Sequence, residues 1–593
     1  MELLKSSIKS WWQKTRAFAL SFLRLIRKKP LDQEEIDKKL VYSLSTRKVP
    51  SREQLRHLKK FLNPREFFIV KLCALVVLVG AIYFGLIFVR NHIESSPAAG
   101  GTYSEGLIGY PRSVNPLYAL SRDVDADLSR LVYSSLFQHD EAGRLAPDLA
   151  ESLEISSDHK EYLIRIKDGV RFHNGERLTV DDIIFTVETI QNPDFHSPLR
   201  SSLSLAVVEK VDDLTVKFKL NEPFSPFLDF LTFGIMPKRL WESVTPDGAL
   251  LSDLNLKPIG SGPYRFKSLV RSSAGDMKEY SLEANRDYYG EVPYLTNFNF
   301  KFYPNYEEAI KALNAKQVLG ISYLPFGWRS ELLAQNSLNF LEMSQPRLVS
   351  LFFNQAKNTA LASKDNRVAL AAAINKEELI ANVFGGLYQP ADSPILPSSW
   401  AYSEVITRYG YDPESARGKL SVGPFTAVLT VVDTGLNTVV AAEIQHYLEE
   451  AGARITIKVI SGEQAADIIK NRDFEMLLYG QSLGGDPDVY AFWHSSQAGA
   501  SGLNLSNYSS AEADKMLVGA RATTNEAERL ARYQKFQEIV TADLPAIFLF
   551  SPTYTYVQGN KLQGVSTHSL IRPADRFSGV SHWYLKTDRR LSW

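Results

Sequence analysis

Only one cysteine, Cys73, occurs in 593 residues, which excludes an internal disulfide framework. The ten histidines are scattered, with no H-E-x-x-H and no cysteine partner at metal spacing, so no zinc site or other metal site is expected. A G-x-S-x-G elbow for a serine nucleophile is missing too. The glycine-rich GQSLGGD at 480–486 lacks the Lys-Ser/Thr ending of a phosphate-cradling loop. Charge of one sign is not in excess either: 67 Lys plus Arg balance 67 Asp plus Glu, leaving no electrostatic footprint for nucleic acid. There is no short internal repeat, and nothing implies a cofactor.

What the chain does have is one long hydrophobic run. Leu72 to Val89 is 18 residues without a charge, preceded by apolar Phe67 to Val70 and by Lys71, whose long side chain can reach the headgroups. At about 1.5 Å per residue the run spans about 27 Å, and with the turn before it covers a hydrocarbon core of about 30 Å. Residues 67–90 are therefore expected to cross a membrane once. Residues 1–66 carry 17 Lys/Arg against 7 Asp/Glu, which places the N-terminus in the cytoplasm and the rest of the chain outside. The long basic lead and the length of the apolar run fit a retained anchor rather than a cleaved signal, and the expected location is a single-pass cell-membrane protein.

In residues 1–66, Leu4, Ile8, Trp11, Phe18 and Phe22 fall on one helical face and Lys5, Lys9, Arg16 and Arg24 on the other. Such a basic amphipathic helix suits an anionic lipid surface or a docked cytoplasmic partner. Ser51 with Gln54 reads as a capping box for a second short helix. Residues 91–100, rich in Ser, Pro, Ala and Gly toward their end, read as a flexible tether.

The remaining chain is α/β. Tyr162, Ile164 and Ile166 alternate with polar residues, Asn174-Gly175 marks a tight turn, and Thr179 caps a helix with Asp181 and Asp182 in its first turn. A hairpin is expected at 207–220. Strands at 427–432, 455–460 and 474–479 interleave with helices at 437–450 and 463–469, the order of a layered α/β lobe. The acidic pairs read as caps and turns.

Several segments together resemble family 5 extracellular solute-binding proteins, the oligopeptide, dipeptide and nickel receptors of ABC importers. They are LAPDLAESLEISSDHKEYLIRIKDGVRFHNGERLTVDDIIFTVETI (145–190), PIGSGPYRF (258–266), LEANRDYYG (282–290), SLFFNQAKNTALASKDNRVALAAAINKEELI (350–380), YDPESARGKL (411–420), GDPDVYAFW (485–493) and LPAIFLF (544–550). In PIGSGPYRF, Gly260 and Gly262 suit a sharply turning backbone, and Asn375 with Glu378 caps a helix.

The resemblance implies a two-lobe type II periplasmic-binding-protein fold that encloses its ligand by closing about a hinge. Lobe one would be 101–349 plus 551–593 and lobe two 350–550, with crossings near Phe353-Asn354 and Pro552. The implied activity is capture of a peptide-like solute for delivery to an ABC transporter permease. An anchored sensor or envelope scaffold that keeps the fold is the alternative. A hydrolase using His494, Ser495 and Ser496 is more remote, since adjacent residues rarely face one another.

By the same resemblance the ligand contacts are Asn354, Tyr479, Gln481, Leu483, Asp486, Asp488, Trp493 and His494. The family's peptide receptors hold the ligand's free amino group with a carboxylate four residues before the loop proline. That proline is Pro487 here, and the position is Leu483. Asp486 or Asp488 either substitutes for the missing carboxylate or organises the turn.

Overall fold

The computed structural model describes residues 62–591 apart from 421, 422, 424 and 501. Both expected helices of the basic segment lie outside the described residues.

Pro64–His92 is one continuous helix. Pro64 occupies the first turn, where its missing N–H costs nothing, and Glu66 accepts from the Asn63 N–H at 2.9 Å. Within it, Pro64–Gly85 reaches a mean hydropathy of 2.6 with none of its apolar window buried, so it is long and apolar enough to cross a membrane. The helix runs on into the expected tether, and Ile93–Ala98 is then a strand rather than a loose linker. Pro97 suits it, because the fixed φ of proline also fits an extended edge.

Residues 96–588 form a separate unit built on three main sheets. The first has seven strands in the order Leu338–Ser344, Thr553–Gly559, Gly320–Ile321, Thr102–Ile108, Asn297–Tyr303, Met277–Ala284 and Tyr264–Arg271. Asn297–Tyr303 shows why it forms: NFNFKFY turns Phe298, Phe300 and Phe302 inward against Tyr103, Tyr264 and Trp583. The second sheet has four strands, Ala150–Ile155, Glu161–Ile166, Thr215–Leu220 and Ala206–Lys210. Tyr162, Ile164 and Ile166 are fully buried as the alternation requires, and helix Val180–Gln191 covers them behind the Thr179–Asp182 capping box. Lobe one therefore carries these two cores and a smaller third one around helix Tyr306–Asn314.

The third sheet is lobe two, ordered Gln389–Pro390, Ala546–Ser551, Arg347–Phe353, Met476–Ser482, Thr426–Val432 and Arg454–Ile460. Helix Leu436–Glu450 connects its parallel pair, and Asn375 caps helix Lys376–Phe384 by accepting from Glu378 N. The strand expected at 474–479 lies two to three residues later, as Met476–Ser482.

One expectation is corrected here. The first crossing between lobes is at Gln345–Pro346, not Phe353–Asn354, because Leu338–Ser344 belongs to the seven-stranded sheet and Arg347–Phe353 to the six-stranded one. Pro346 cannot donate to a ladder, so the strand breaks there. The return passes through Pro552, between Ala546–Ser551 and Thr553–Gly559. The backbone bends at 261–263 as expected, and the two glycines flanking Ser261 serve a second purpose as well. A Cβ on Gly260 would lie 2.1 Å from Val132 O, and one on Gly262 would lie 2.6 Å from Leu131 O, so both are small for the sake of a close backbone approach. His173 closes that contact, with Nδ1 accepting from Gly260 N at 3.3 Å and Nε2 donating to Gly262 O at 3.1 Å. Burial lowers its pKa to about 4, holding it neutral.

The returning tail is fastened by Arg576. Its guanidinium is wholly buried, pairing with Glu105 at 2.6 Å and Asp127 at 2.6 Å, and it lies 4.1 Å from the Phe577 ring centre. Burial raises Asp127 to about 7 even beside this cation.

Candidate ligand-binding cleft

A cavity of about 780 Å³ lies between the lobes, within the range of about 300–1,000 Å³ that small-ligand sites occupy. Lobe two contributes the loop Leu483–Pro487, the turn around Ser398, Ser399 and Trp400, and Arg529. Facing them are Arg144, Leu145, Tyr162, Leu228 and Asp229, with Pro346 of the crossing also on the lining.

The loop is positioned from its ends. Strand Met476–Ser482 delivers it, and Leu483 N donates to Pro346 O at 2.7 Å. Gly484 has φ +81°, a conformation that excludes most side chains. At Gly485 the chain touches the opposite lobe: an added Cβ would lie 2.6 Å from Asp229 Oδ1 and 2.8 Å from His139 Nε2. Those two are themselves bonded at 3.0 Å, and His139 Nδ1 faces Asp575 at 3.7 Å. A second contact between lobes lies beside it. Ser225 Oγ donates to Ala520 O at 3.2 Å, Thr524 Oγ1 meets His159 Nδ1 at 2.9 Å, and the Arg521 guanidinium sits 5.2 Å from the Phe224 ring. The lobes are closed onto each other.

Asp486 accepts twice from Arg529 Nη2, at 2.6 and 2.7 Å. Arg529 is in turn flanked by the rings of Trp400 and Tyr533, at 5.3 and 5.6 Å. Burial pushes Asp486 up to about 6; Arg529 opposes the shift, and Asp229 and Asp488 add to it. Asp488 is held by Arg521 through contacts of 2.6 to 3.0 Å and also accepts from Tyr490 N.

Of the eight residues singled out from the sequence, Leu483 and Asp486 line the cavity. Asp488 sits behind it in its arginine pair. Gln481 is buried one pleat earlier, with an Oε1 that accepts no hydrogen bond. Tyr479 and Trp493 pack in the core of lobe two, Trp493 against Phe352 and Phe548 and only 1 % exposed. His494 is a cap: its Nδ1 accepts from Ser496 N at 3.1 Å, its ring stacks 4.1 Å from Tyr490, and Nε2 stands 3.9 Å from Asp514, beyond hydrogen-bond reach. Neither His494 nor its serines line the cavity. Asn354 lies at the far end of Arg347–Phe353, about 26 Å of extended chain from Pro346, buried with Nδ2 donating to Arg472 O.

Sequence reasoning missed Tyr162, Asp229, Trp400 and Arg529. Two signals were available: Arg529 and Tyr533 are one helical turn apart on the same face, and Trp400 is an aromatic stranded in a Pro/Ser-rich turn.

The profile of the bacterial extracellular solute-binding proteins, family 5, matches residues 144–502. The oligopeptide-binding protein AppA of Bacillus subtilis is 28% identical over 514 residues, covering 82% of this chain and 92% of AppA. The AppA structure in complex with a nonapeptide, 27% identical, superposes with a TM-score of 0.65 over 83% of this chain and 100% of that one. CtaP of Listeria monocytogenes, an ABC transporter substrate binding protein, is 28% identical with a TM-score of 0.73, covering 82% and 99%. Because the profile spans more than half of the residues and the solved relatives align over nearly their whole length, the chain belongs to the family 5 bacterial extracellular solute-binding proteins.

Proposed function

We propose that this chain captures a peptide-like solute between its two lobes and passes it to the permease of an ABC transporter, outside a membrane that its N-terminal helix crosses once. The observation that carries the reading is the cavity of about 780 Å³ between lobes that touch at Gly485. Support comes from AppA, which holds a nonapeptide, and from the glutathione-binding protein GsiB of Pectobacterium atrosepticum, 26% identical over 477 residues, covering 76% of this chain and 89% of GsiB. The chain acts by binding and closure, with no bond made or broken.

The test is a thermal-shift titration of the full chain in nanodiscs with short-peptide libraries. A ligand at about 100 times its dissociation constant adds roughly 2.7 kcal/mol to folding stability, which moves the melting point by a degree or more. A flat response to every peptide pool would sink the reading and favour a scaffold. For the anchor, Cys73→Ala supplies a thiol-free background. An impermeant thiol probe applied to intact cells should label a cysteine placed at Ser95 and not one at Ser45; the reverse pattern would overturn the orientation.

A further inference from the structure

The lining of the cleft limits which peptides it can take. Five charged residues line the cavity, namely Arg144, Asp229, Asp486, Glu526 and Arg529. Four of them are already engaged inside the protein. Arg529 Nη2 makes two contacts with Asp486 and a third, at 3.3 Å, with Tyr533 Oη; Asp229 pairs with His139 Nε2 through Oδ1, and Arg144, itself exposed, makes a two-point pair with Asp140 at 3.0 and 2.9 Å. Glu526 is the exception, but it is solvent-exposed, in the first turn of helix Glu526–Asp543. Behind the loop, Asp488 is likewise consumed by Arg521. Between these pairs the surface is apolar or hydroxylic: Leu145, Leu228, Ile395, Leu396, Trp400 and Leu483, with Ser398 and Ser399.

Among the described residues, a ligand ammonium entering this space meets carboxylates that already have a partner, Asp486 with Arg529 and Asp229 through Oδ1 with His139, and the exposed Glu526. If it approached Asp486 it would stand beside the Arg529 guanidinium and be repelled by it. A ligand carboxylate approaching Arg529 meets Asp486 in the same way. Either charge gives up water for a group that is already paired, which disfavours it against an uncharged ligand. Amide groups, by contrast, can use the serine hydroxyls, and apolar side chains can cover the leucines and Trp400.

We propose, on the basis of the peptide-capture reading above, that the cleft selects peptide-like ligands without a formal charge inside it: chains with apolar side chains whose termini are blocked, absent or held outside. Leu483 is then a residue that sets specificity, because it places an aliphatic side chain on the wall next to Asp486, whose own charge is taken up by Arg529.

The test uses the full chain in nanodiscs and a library of tetrapeptides built from alanine, leucine, valine and phenylalanine. The library is made in four forms: free at both ends, N-acetylated, C-amidated, and blocked at both. Competition in native mass spectrometry should rank the doubly blocked form at least tenfold above the free one, with the singly blocked forms between them. Equal or tighter binding of the free form overturns the charge rule while leaving peptide capture standing. Failure of all four forms to bind overturns peptide capture, and the charge rule with it. Leu483→Asp then adds an unpaired carboxylate to the wall, and it should shift the ratio of free-amino to acetylated binding by tenfold or more toward the free amine. An unchanged ratio in that variant, with binding retained, contradicts the proposal.

Discussion

Alanine at Gly485 would place a methyl carbon 2.6 Å from Asp229 Oδ1 and 2.8 Å from His139 Nε2, far inside the roughly 3.5–4.0 Å at which carbon contacts are favourable. His139 has nowhere to retreat, being 4 % exposed and set between Asp229 and Asp575. Asp229 can swing away only by giving up the His139 bond, worth about 1 kcal/mol. Overpacking of this kind costs about 1–3 kcal/mol. The clash exists only when the lobes are together, so the cost falls on the closed form, and opening relieves it. Ligand affinity should therefore drop about 5- to 150-fold, the equivalent of that energy, while the melting point of the ligand-free chain barely moves. Isothermal calorimetry on wild type and Gly485→Ala, with the tightest peptide found, measures the ratio. Gly484→Ala is the control: its φ is +81° but no atom lies within 4 Å of an added Cβ, so it strains the loop without blocking closure and should weaken binding less. Wild-type affinity in Gly485→Ala, or an equal loss in both variants, would refute the reasoning.

Arg576→Met should cost about 3–5 kcal/mol in urea unfolding, because it strands Glu105 and Asp127 as unpaired charges in a buried site; a loss below 1 kcal/mol would mean that the tail is held by packing alone. His173 predicts an acid limb. Its folded pKa is lowered to about 4 by burial against an ordinary value of 6.5, so the unfolded chain binds the extra proton between those values. The contribution is intact above about pH 6.5 and is lost as pH falls toward 4, by roughly 3 kcal/mol in all at 1.36 kcal/mol per unit. Unfolding free energies measured from pH 7 to 4.5 should fall less steeply in His173→Gln than in wild type, and equal slopes would reject the assignment.

Much of the scaffold was legible because its signals are local. Thr179 and Asn375 sit where a capping side chain has only its own helix to satisfy, and Tyr162, Ile164 and Ile166 alternate because one face of their sheet is buried. What was misread or missed depends on partners distant in the chain. The bend around Gly260 and Gly262 was readable, but its second role appears only when the carbonyls of Leu131 and Val132, well over a hundred residues earlier, are brought against them. Trp493 was a ligand contact by the family resemblance, but Phe352 and Phe548 come from two other strands to bury it. Asp486 could be located from the sequence, whereas its neutralisation by Arg529, 43 residues on, belongs to the tertiary fold. The crossing at Gln345–Pro346 was missed because SLFF reads equally well at the start of a lobe or in the middle of a strand.

That a solute is captured by closure of the two lobes can be measured as a distance. Spin labels at Val211 on the four-stranded sheet side and at Val518 on helix Ala511–Arg521, both about half exposed, report the separation of the lobes in a Cys73→Ala background by pulsed electron paramagnetic resonance. Without ligand the account predicts a broad distribution that includes longer distances, and with saturating doubly blocked tetrapeptide a single narrow peak at the separation seen in this structure. A distribution that is the same with and without peptide, while peptide is shown to be bound, would contradict it.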